Sequence, residues 1–199
     1  MIHRGLENLA GKAVLLLQGP VGPFFARLAA DLEAAGARVH KVNFNGGDWL
    51  FYPRGALNYR GSLDAWPAWL EAHLRDLAID AIFLFGDCRP VHEAARAVAQ
   101  RMDIEVGVFE EGYVRPDYVT LEPFGVNGHS RLPRNPAAYA EDRPLPPVRH
   151  PAGNAYWWMV LWGFGYFVVG CLGRWWFPSY EHQRPLAVHE GWPWVRSAW

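Results

Sequence analysis

An excess of charge of either sign is missing from this chain. Its 19 Lys and Arg residues face 20 Asp and Glu residues, and no long basic run supplies the phosphate-neutralising surface that duplex nucleic acid requires. Nucleic acid is not an expected partner. Cysteine is almost absent: Cys88 stands before an Arg-Pro pair and Cys171 inside an apolar run, neither a disulfide framework nor a metal-ligand spacing. A reducing compartment and a site without metal are the expectations. The opening residues, Met-Ile-His-Arg-Gly-Leu-Glu-Asn, hold no apolar stretch and no small-residue cleavage site, so they encode no secretion signal. The expected location is the cytoplasm or its membrane. Neither G-x-G-x-x-G nor Gly-Lys-Ser/Thr occurs after a strand-like run, which disfavours NAD and ATP.

What the chain does have is length and aromatic side chains. Its 199 residues allow one domain and part of another, enough to bury a real core. Charged residues make up 20% and apolar ones 51%, against roughly 25% charged in ordinary soluble domains. Eight of the 11 tryptophans (Trp157, Trp158, Trp162, Trp175, Trp176, Trp192, Trp194, Trp199) follow position 150, where Arg174, Glu181, Arg184, Glu190 and Arg196 are the only Asp, Glu, Lys or Arg residues. The two parts differ in kind.

Lys12 to Leu17 is a continuous apolar run closed by Gln18-Gly19-Pro20, the pattern of a strand buried on both faces. Phe24 to Ala35 carries apolar residues at helical spacing and ends at Gly36, as a capped helix does. The cycle repeats: strand Arg38 to Phe44, a Gly-rich loop from Asn45 to Ser62, helix Leu63 to Leu77, strand Asp80 to Phe85, helix Val91 to Met102, strand Glu105 to Phe109. Alternation at this spacing predicts an α/β fold, a parallel sheet with flanking helices. Residues 1–131 form the expected first domain. Residues 132–153, with Pro133, Pro136, Pro144, Pro146, Pro147 and Pro151, are the expected linker, and 154–199 the apolar remainder.

Ala155 to Gly173 is 19 residues without a charge, about the length that crosses hydrocarbon as a helix. Its glycines and aromatic density suit a headgroup-level position better than a bilayer centre. A buried helix between two halves of a larger enzyme is the competing reading, and a true span the third.

Ligands collect beyond the carboxyl ends of strands in open parallel sheets, which singles out four loops. Gln18-Gly19-Pro20-Val21-Gly22-Pro23 allows close backbone approach before a helix N-terminus, although a tight ligand-free turn reads the same way. Asn43-Phe44-Asn45-Gly46-Gly47-Asp48-Trp49 combines amides, a carboxylate and an indole, suited to sugar hydroxyls or equally to a plain turn. Gly86-Asp87-Cys88-Arg89-Pro90 with His92 sets three ionisable groups at one strand end, more than a helix cap requires. Glu110-Glu111-Gly112-Tyr113-Val114-Arg115 follows an apolar strand; a carboxylate there is a candidate acid or base, and Arg115 a bidentate anion holder.

Taken together, LLLQGPVGPFFARLA, HKVNFNGGDWLFYP, YRG, FLFGDCRPVH, FEEGYVRPDYVTLE and GVNG resemble the KpsS/LipB capsular polysaccharide biosynthesis family. The resemblance is dense over residues 12 to about 135 and continues thinly through FPSYEHQRPLAVHEGWPWVRSAW. It implies a Rossmann-like N-terminal half of a GT-B glycosyltransferase. The implied reaction is retaining β-Kdo transfer from CMP-Kdo, with no cofactor beyond that donor, to a phosphatidylglycerol-type lipid. The implied place is the cytoplasmic face of the inner membrane. Members of the family are about twice this long, so the resemblance also implies a chain lacking its second half.

On this reading Asp87, Glu110 and Glu111 are the candidate catalytic carboxylates, with Asp87 as nucleophile or orienter of His92 and either Glu for acid/base work. Arg89 and Arg115 hold phosphate or the Kdo carboxylate. Gln18, Gly19, Gly22, Asn45, Gly46 and Asp48 line the acceptor side. A non-catalytic, membrane-associated module docking with other capsule assembly proteins is the alternative.

Overall fold

The computed structural model describes residues 6–112, 117–140, 153, 155–182 and 196. Six strands make one sheet in the order β3-β2-β1-β4-β5-β6: β1 Ala13–Leu16, β2 Arg38–Asn43, β3 Ala56–Asn58, β4 Ala81–Phe85, β5 Glu105–Glu111 and β6 Val119–Pro123. The first five run parallel, and β6 returns antiparallel along β5, with Phe109 opposite Leu121. The helices are α1 Phe24–Ala34, α2 Gly46–Phe51, α3 Trp66–Asp76, α4 Pro90–Arg101 and α5 Tyr156–Leu172.

Alternation along the central strands feeds two cores. Ala13, Leu15 and Leu17 join Phe44, Trp66, Leu70, Ile82 and Val98 on one side; Val14 and Leu16 join Phe25, Leu32, Phe83 and Phe109 on the other. Because both faces are covered, β1 is buried at every position, as its unbroken apolar run requires. Proline sets two helix starts: Pro67 lies in the first turn of α3, and Pro90 opens α4, where its missing N–H costs nothing.

The expected α/β class is what the chain forms, with three local differences. The stretch expected as a Gly-rich loop, 45–62, contains α2 and β3. A sixth, antiparallel strand follows the four expected parallel ones and β3. Glu110 and Glu111 complete β5 rather than follow it.

α5 lies against α2. A Cβ on Gly46 would overlap the Val169 carbonyl oxygen and one on Gly47 would run into the Tyr166 ring, so this pair of glycines is what lets the helices meet. Tyr166 and Gly170 are buried, while Trp157 (74%), Phe164 (65%) and Leu172 (68%) are exposed. Within the proline-rich stretch, Pro136–Tyr139 form a 3-10 turn; residues 141–152 lie outside the described residues.

Candidate functional site

The chain leaves β1 toward β2 on one side, and β4 enters on the other, so the β1/β4 boundary is the switch point at which open α/β sheets hold ligands. Gln18 stands just past β1 and is buried. Its side-chain nitrogen lies 3.0 and 3.2 Å from the two carboxylate oxygens of Asp48, 2.9 Å from the Tyr180 hydroxyl and 3.3 Å from that of Tyr166. Two N–H bonds serve these four oxygens, so the network is shared. Asn45 caps α2 by accepting from the Asp48 N–H at 2.9 Å, as N-cap residues do, and donates to the Tyr166 hydroxyl at 2.7 Å. The Asp48 carboxylate also accepts from the Phe44 N–H at 3.0 Å.

Burial, and then the Asp48 charge, raise the titration of Tyr166 and Tyr180, so both phenols stay neutral. Lys41 is buried nearby and donates to the Val42 carbonyl. Burial pushes its ammonium down to about 8 against the opposing pull of Asp48.

In front of this cluster lies a crevice of about 350 Å³ whose walls include Gln18, Phe44, Tyr59, Arg89, Tyr180 and His182. Arg89 donates to the Gly19 carbonyl at 3.2 Å, tying the loop after β4 to the loop after β1. Aromatic walls with a guanidinium and a few hydroxyls suit a ring-bearing, anionic, hydroxyl-rich ligand.

A second centre sits beside the first, at the ends of β4 and β5. Asp87 is 2% exposed. Its carboxylate accepts from the Val126 N–H at 3.0 Å, His129 Nδ1 at 3.0 Å and Cys88 Sγ at 3.3 Å, and the Arg96 guanidinium lies 3.9 Å away. Burial opposes ionisation, but the hydrogen bonds from Val126, Cys88 and His129 and the charge of His129 outweigh it and hold the carboxyl below its usual range. Glu110, half-buried, accepts from the Asn127 side-chain amide at 3.3 Å and from the Glu111 N–H at 3.0 Å. The turn at residues 126–129 thus touches both acidic residues.

Asp87, Cys88 and His129 each offer a ligand atom within 4.8 Å of the others. The thiol is pushed up by its hydrogen bond to Asp87 and Arg96 already supplies positive charge, so this donor set fits a cation poorly.

Of the residues expected at the site, Gln18, Gly19 and Arg89 line the crevice, and Asn45 and Asp48 stand behind its floor. Asp87 and Glu110 belong to the neighbouring centre, and Glu111 is exposed at the end of β5. His92 is fully buried, and its Nδ1 bonds the Gly86 carbonyl at 2.6 Å, so it braces the turn before α4. Burial, then the charge of Arg89, push it down to about 3. Gly46 is occupied by α5, and a Cβ on Gly22 would meet Trp162 at 2.8 Å. Arg115 lies outside the described residues. Sequence reading passed over Tyr166, Tyr180 and His129. Tyr166 carries one of the few polar groups in an uncharged apolar run, and His129 directly follows GVNG.

Residues 80–189 match the family model described as capsule polysaccharide biosynthesis protein. The chain belongs to this capsule polysaccharide biosynthesis family. Capsule relatives run along almost all of it: it is 40% identical to the capsule polysaccharide export protein KpsS of Escherichia coli over 96% of this chain and 50% of that protein. It is 38% identical to the capsule polysaccharide modification protein LipB of Neisseria meningitidis serogroup A over 99% of this chain and 50% of that one. The chain spans about half the length of these curated relatives. Among solved structures, the S. aureus MnaA–UDP co-structure aligns at TM-score 0.41 with 17% identity, over 52% of this chain and 30% of that one. UDP-GlcNAc 2-epimerase from Methanocaldococcus jannaschii aligns at 0.41 with 20% identity, over 52% and 32%. Likeness at this level does not bear on the activity of this capsule family member.

Proposed function

We propose that this chain is the N-terminal part of a retaining β-Kdo glycosyltransferase that takes Kdo from CMP-Kdo and places it on a phosphatidylglycerol-type lipid at the cytoplasmic face of the inner membrane, starting the linker of a capsular polysaccharide. The observation that carries the reading is the pairing, on one sheet rim, of an aromatic crevice holding Arg89 with the acidic centre of Asp87 and Glu110. Family membership supplies the capsule context.

Retention at the ketosidic carbon calls for two inversions through a protein carboxylate. In the first, a carboxylate oxygen bonds to the Kdo carbon as the bond to the CMP phosphate breaks. In the second, the acceptor oxygen replaces the carboxylate and loses its proton. Asp87 is tied down by three donors, which suits an orienting role, and Glu110, reached by the same turn, is the carboxylate for the covalent one. Arg89 balances the charge of the leaving phosphate or the Kdo carboxylate.

The exposed apolar face of α5 favours one alternative, a non-catalytic module that docks on the membrane within a capsule assembly complex. Incubating the full-length, folded protein, of which this chain is the proposed N-terminal part, with CMP-Kdo and lyso-phosphatidylglycerol separates the two. The transferase reading expects the acceptor to gain the mass of one Kdo residue; an unshifted acceptor rejects it and leaves the docking module.

A further inference from the structure

We propose that His129, oriented by Asp87, is the proton acceptor of this rim and takes the proton from the acceptor hydroxyl; the assignment rests on the transferase reading above. It begins with the chain path. β6 runs back along β5, and the turn that follows carries residues 126–129 over the end of β4, where the Val126 N–H and the His129 ring both meet Asp87.

The turn is built at some cost. Phe124 and Asn127 both take left-handed backbone angles, φ +68 and +51, which non-glycine residues adopt at a penalty and mostly where surrounding contacts impose it. Gly125 between them leaves no room for a side chain. A Cβ there would stand 2.6 Å from the His129 Cβ, 2.9 Å from its carbonyl oxygen and 3.1 Å from the Asp87 carboxylate. Only glycine lets His129 approach Asp87.

The tautomer follows from the partner. An ionised carboxylate accepts only, so His129 Nδ1, 3.0 Å from it, carries the hydrogen, and Nε2 is left with its lone pair. The Asp87 carboxylate is 2% exposed and the His129 side chain 52% exposed, so the buried acid steadies a ring that reaches solvent. His92 has the opposite placement: its Nε2 is buried and has no hydrogen-bond partner among the described residues, out of reach of any substrate. Among the described residues, Cys88 and Arg96 face Asp87 from the β4–α4 side, and Glu110 of β5 accepts from Asn127 in the same turn.

In the step assigned here, the acceptor O–H gives its proton to His129 Nε2 as the oxygen bonds to the Kdo carbon. The bond from that carbon to the protein carboxylate breaks and returns its electron pair to the carboxylate. Asp87 stabilises the imidazolium until the proton passes to water.

The test compares the full-length wild-type protein with its His129→Gln variant, whose fold is checked by circular dichroism. Transfer to lyso-phosphatidylglycerol should fall by about 10²- to 10⁴-fold, and CMP release without acceptor should fall far less. Transfer that stays within about threefold of wild type overturns the proposal. A second measurement needs no turnover: nitrogen-detected NMR should find Nδ1 protonated and Nε2 bare in wild type, with that preference lost in Asp87→Asn. Protonation at Nε2 in the wild type would also overturn it. A wild-type protein that moves no Kdo would remove the transferase reading, while the tautomer measurement still decides the dyad.

Discussion

His92 keeps its neutral form because no water reaches it. Its titration in the folded chain is pushed down to about 3 from 6.5, so between those values the unfolded chain binds the proton and the folded one does not. Stability therefore falls as pH drops through that window. Asp87, held below its usual range, acts in the same direction at lower pH, since a depressed carboxyl loses its contribution as it is protonated. Urea titrations from pH 7 to pH 4 should show a steep loss of unfolding free energy. His92→Leu removes the titrating group, and although losing the bond to the Gly86 carbonyl lowers stability by about 1–3 kcal/mol, its pH slope should be shallower than wild type. Equal slopes would mean that His92 takes up protons in the native state. Lys41 has the complementary signature. With a folded value of about 8 against 10.5 unfolded, the buried ammonium costs stability below pH 8, and stability recovers as pH rises toward 10.5. Lys41→Met should therefore raise the melting temperature at pH 7, because a buried charge gives way to an apolar side chain of similar length. A lower melting temperature would indicate that the attraction between Lys41 and Asp48 outweighs desolvation.

At the scale of elements, the contact between α2 and α5 is set by Gly46 and Gly47. Gly46→Ala places a methyl group on the Val169 carbonyl, backbone that cannot step aside, and should cost about 1–3 kcal/mol as overpacking. Gly163→Ala lies in the same α5 helix with nothing among the described residues within 4 Å of its Cβ and should stabilise by about 0.5–1 kcal/mol through helix propensity. Paired thermal melts test both, and similar shifts in the two variants would reject the close-packed crossing. This contact also explains what the sequence hid. Asn45-Gly46-Gly47 reads locally as a turn, yet the glycines serve a helix that arrives about 120 residues later, and no local pattern reports that demand. The strands β1, β4 and β5 were legible because burial on both faces imprints an unbroken apolar run. Gln18 and Asp48 were legible as strand-end residues, but their partners Tyr166 and Tyr180 come from α5 and the stretch after it, and only tertiary packing brings them in. His129 was missed for the same reason: its partner Asp87 is 42 residues away in sequence.

For the whole molecule the deciding question is how α5 meets a membrane. Tyr156–Trp175 is a 20-residue helical stretch of mean hydropathy 1.3, long and apolar enough to cross a bilayer by length and composition. Crossing would strip Tyr166 from Gln18 and Asn45, and Val169 and Gly173 from Gly46 of α2, leaving the buried Asp48 carboxylate with fewer donors. Lying flat removes none of these contacts. On the proposed reading the helix keeps Tyr166 on the sheet domain and lays Trp157, Leu161, Phe164 and Leu172 into the headgroup layer, where tryptophan rings sit well and Arg174 meets anionic lipid. Val21, on the loop after β1, and Trp49, on α2, are also exposed and extend the same apolar surface. Replacing Trp157, Phe164 and Leu172 with serine should lower partitioning onto phosphatidylglycerol-containing vesicles at least tenfold, since each buried apolar side chain contributes about 1.5–3 kcal/mol when fully withdrawn from water. The melting temperature should barely change, because these side chains touch little of the protein. Vesicle co-sedimentation and the blue shift of tryptophan emission measure the first effect. Partitioning that is unaffected by the triple substitution would show that this face does not meet lipid.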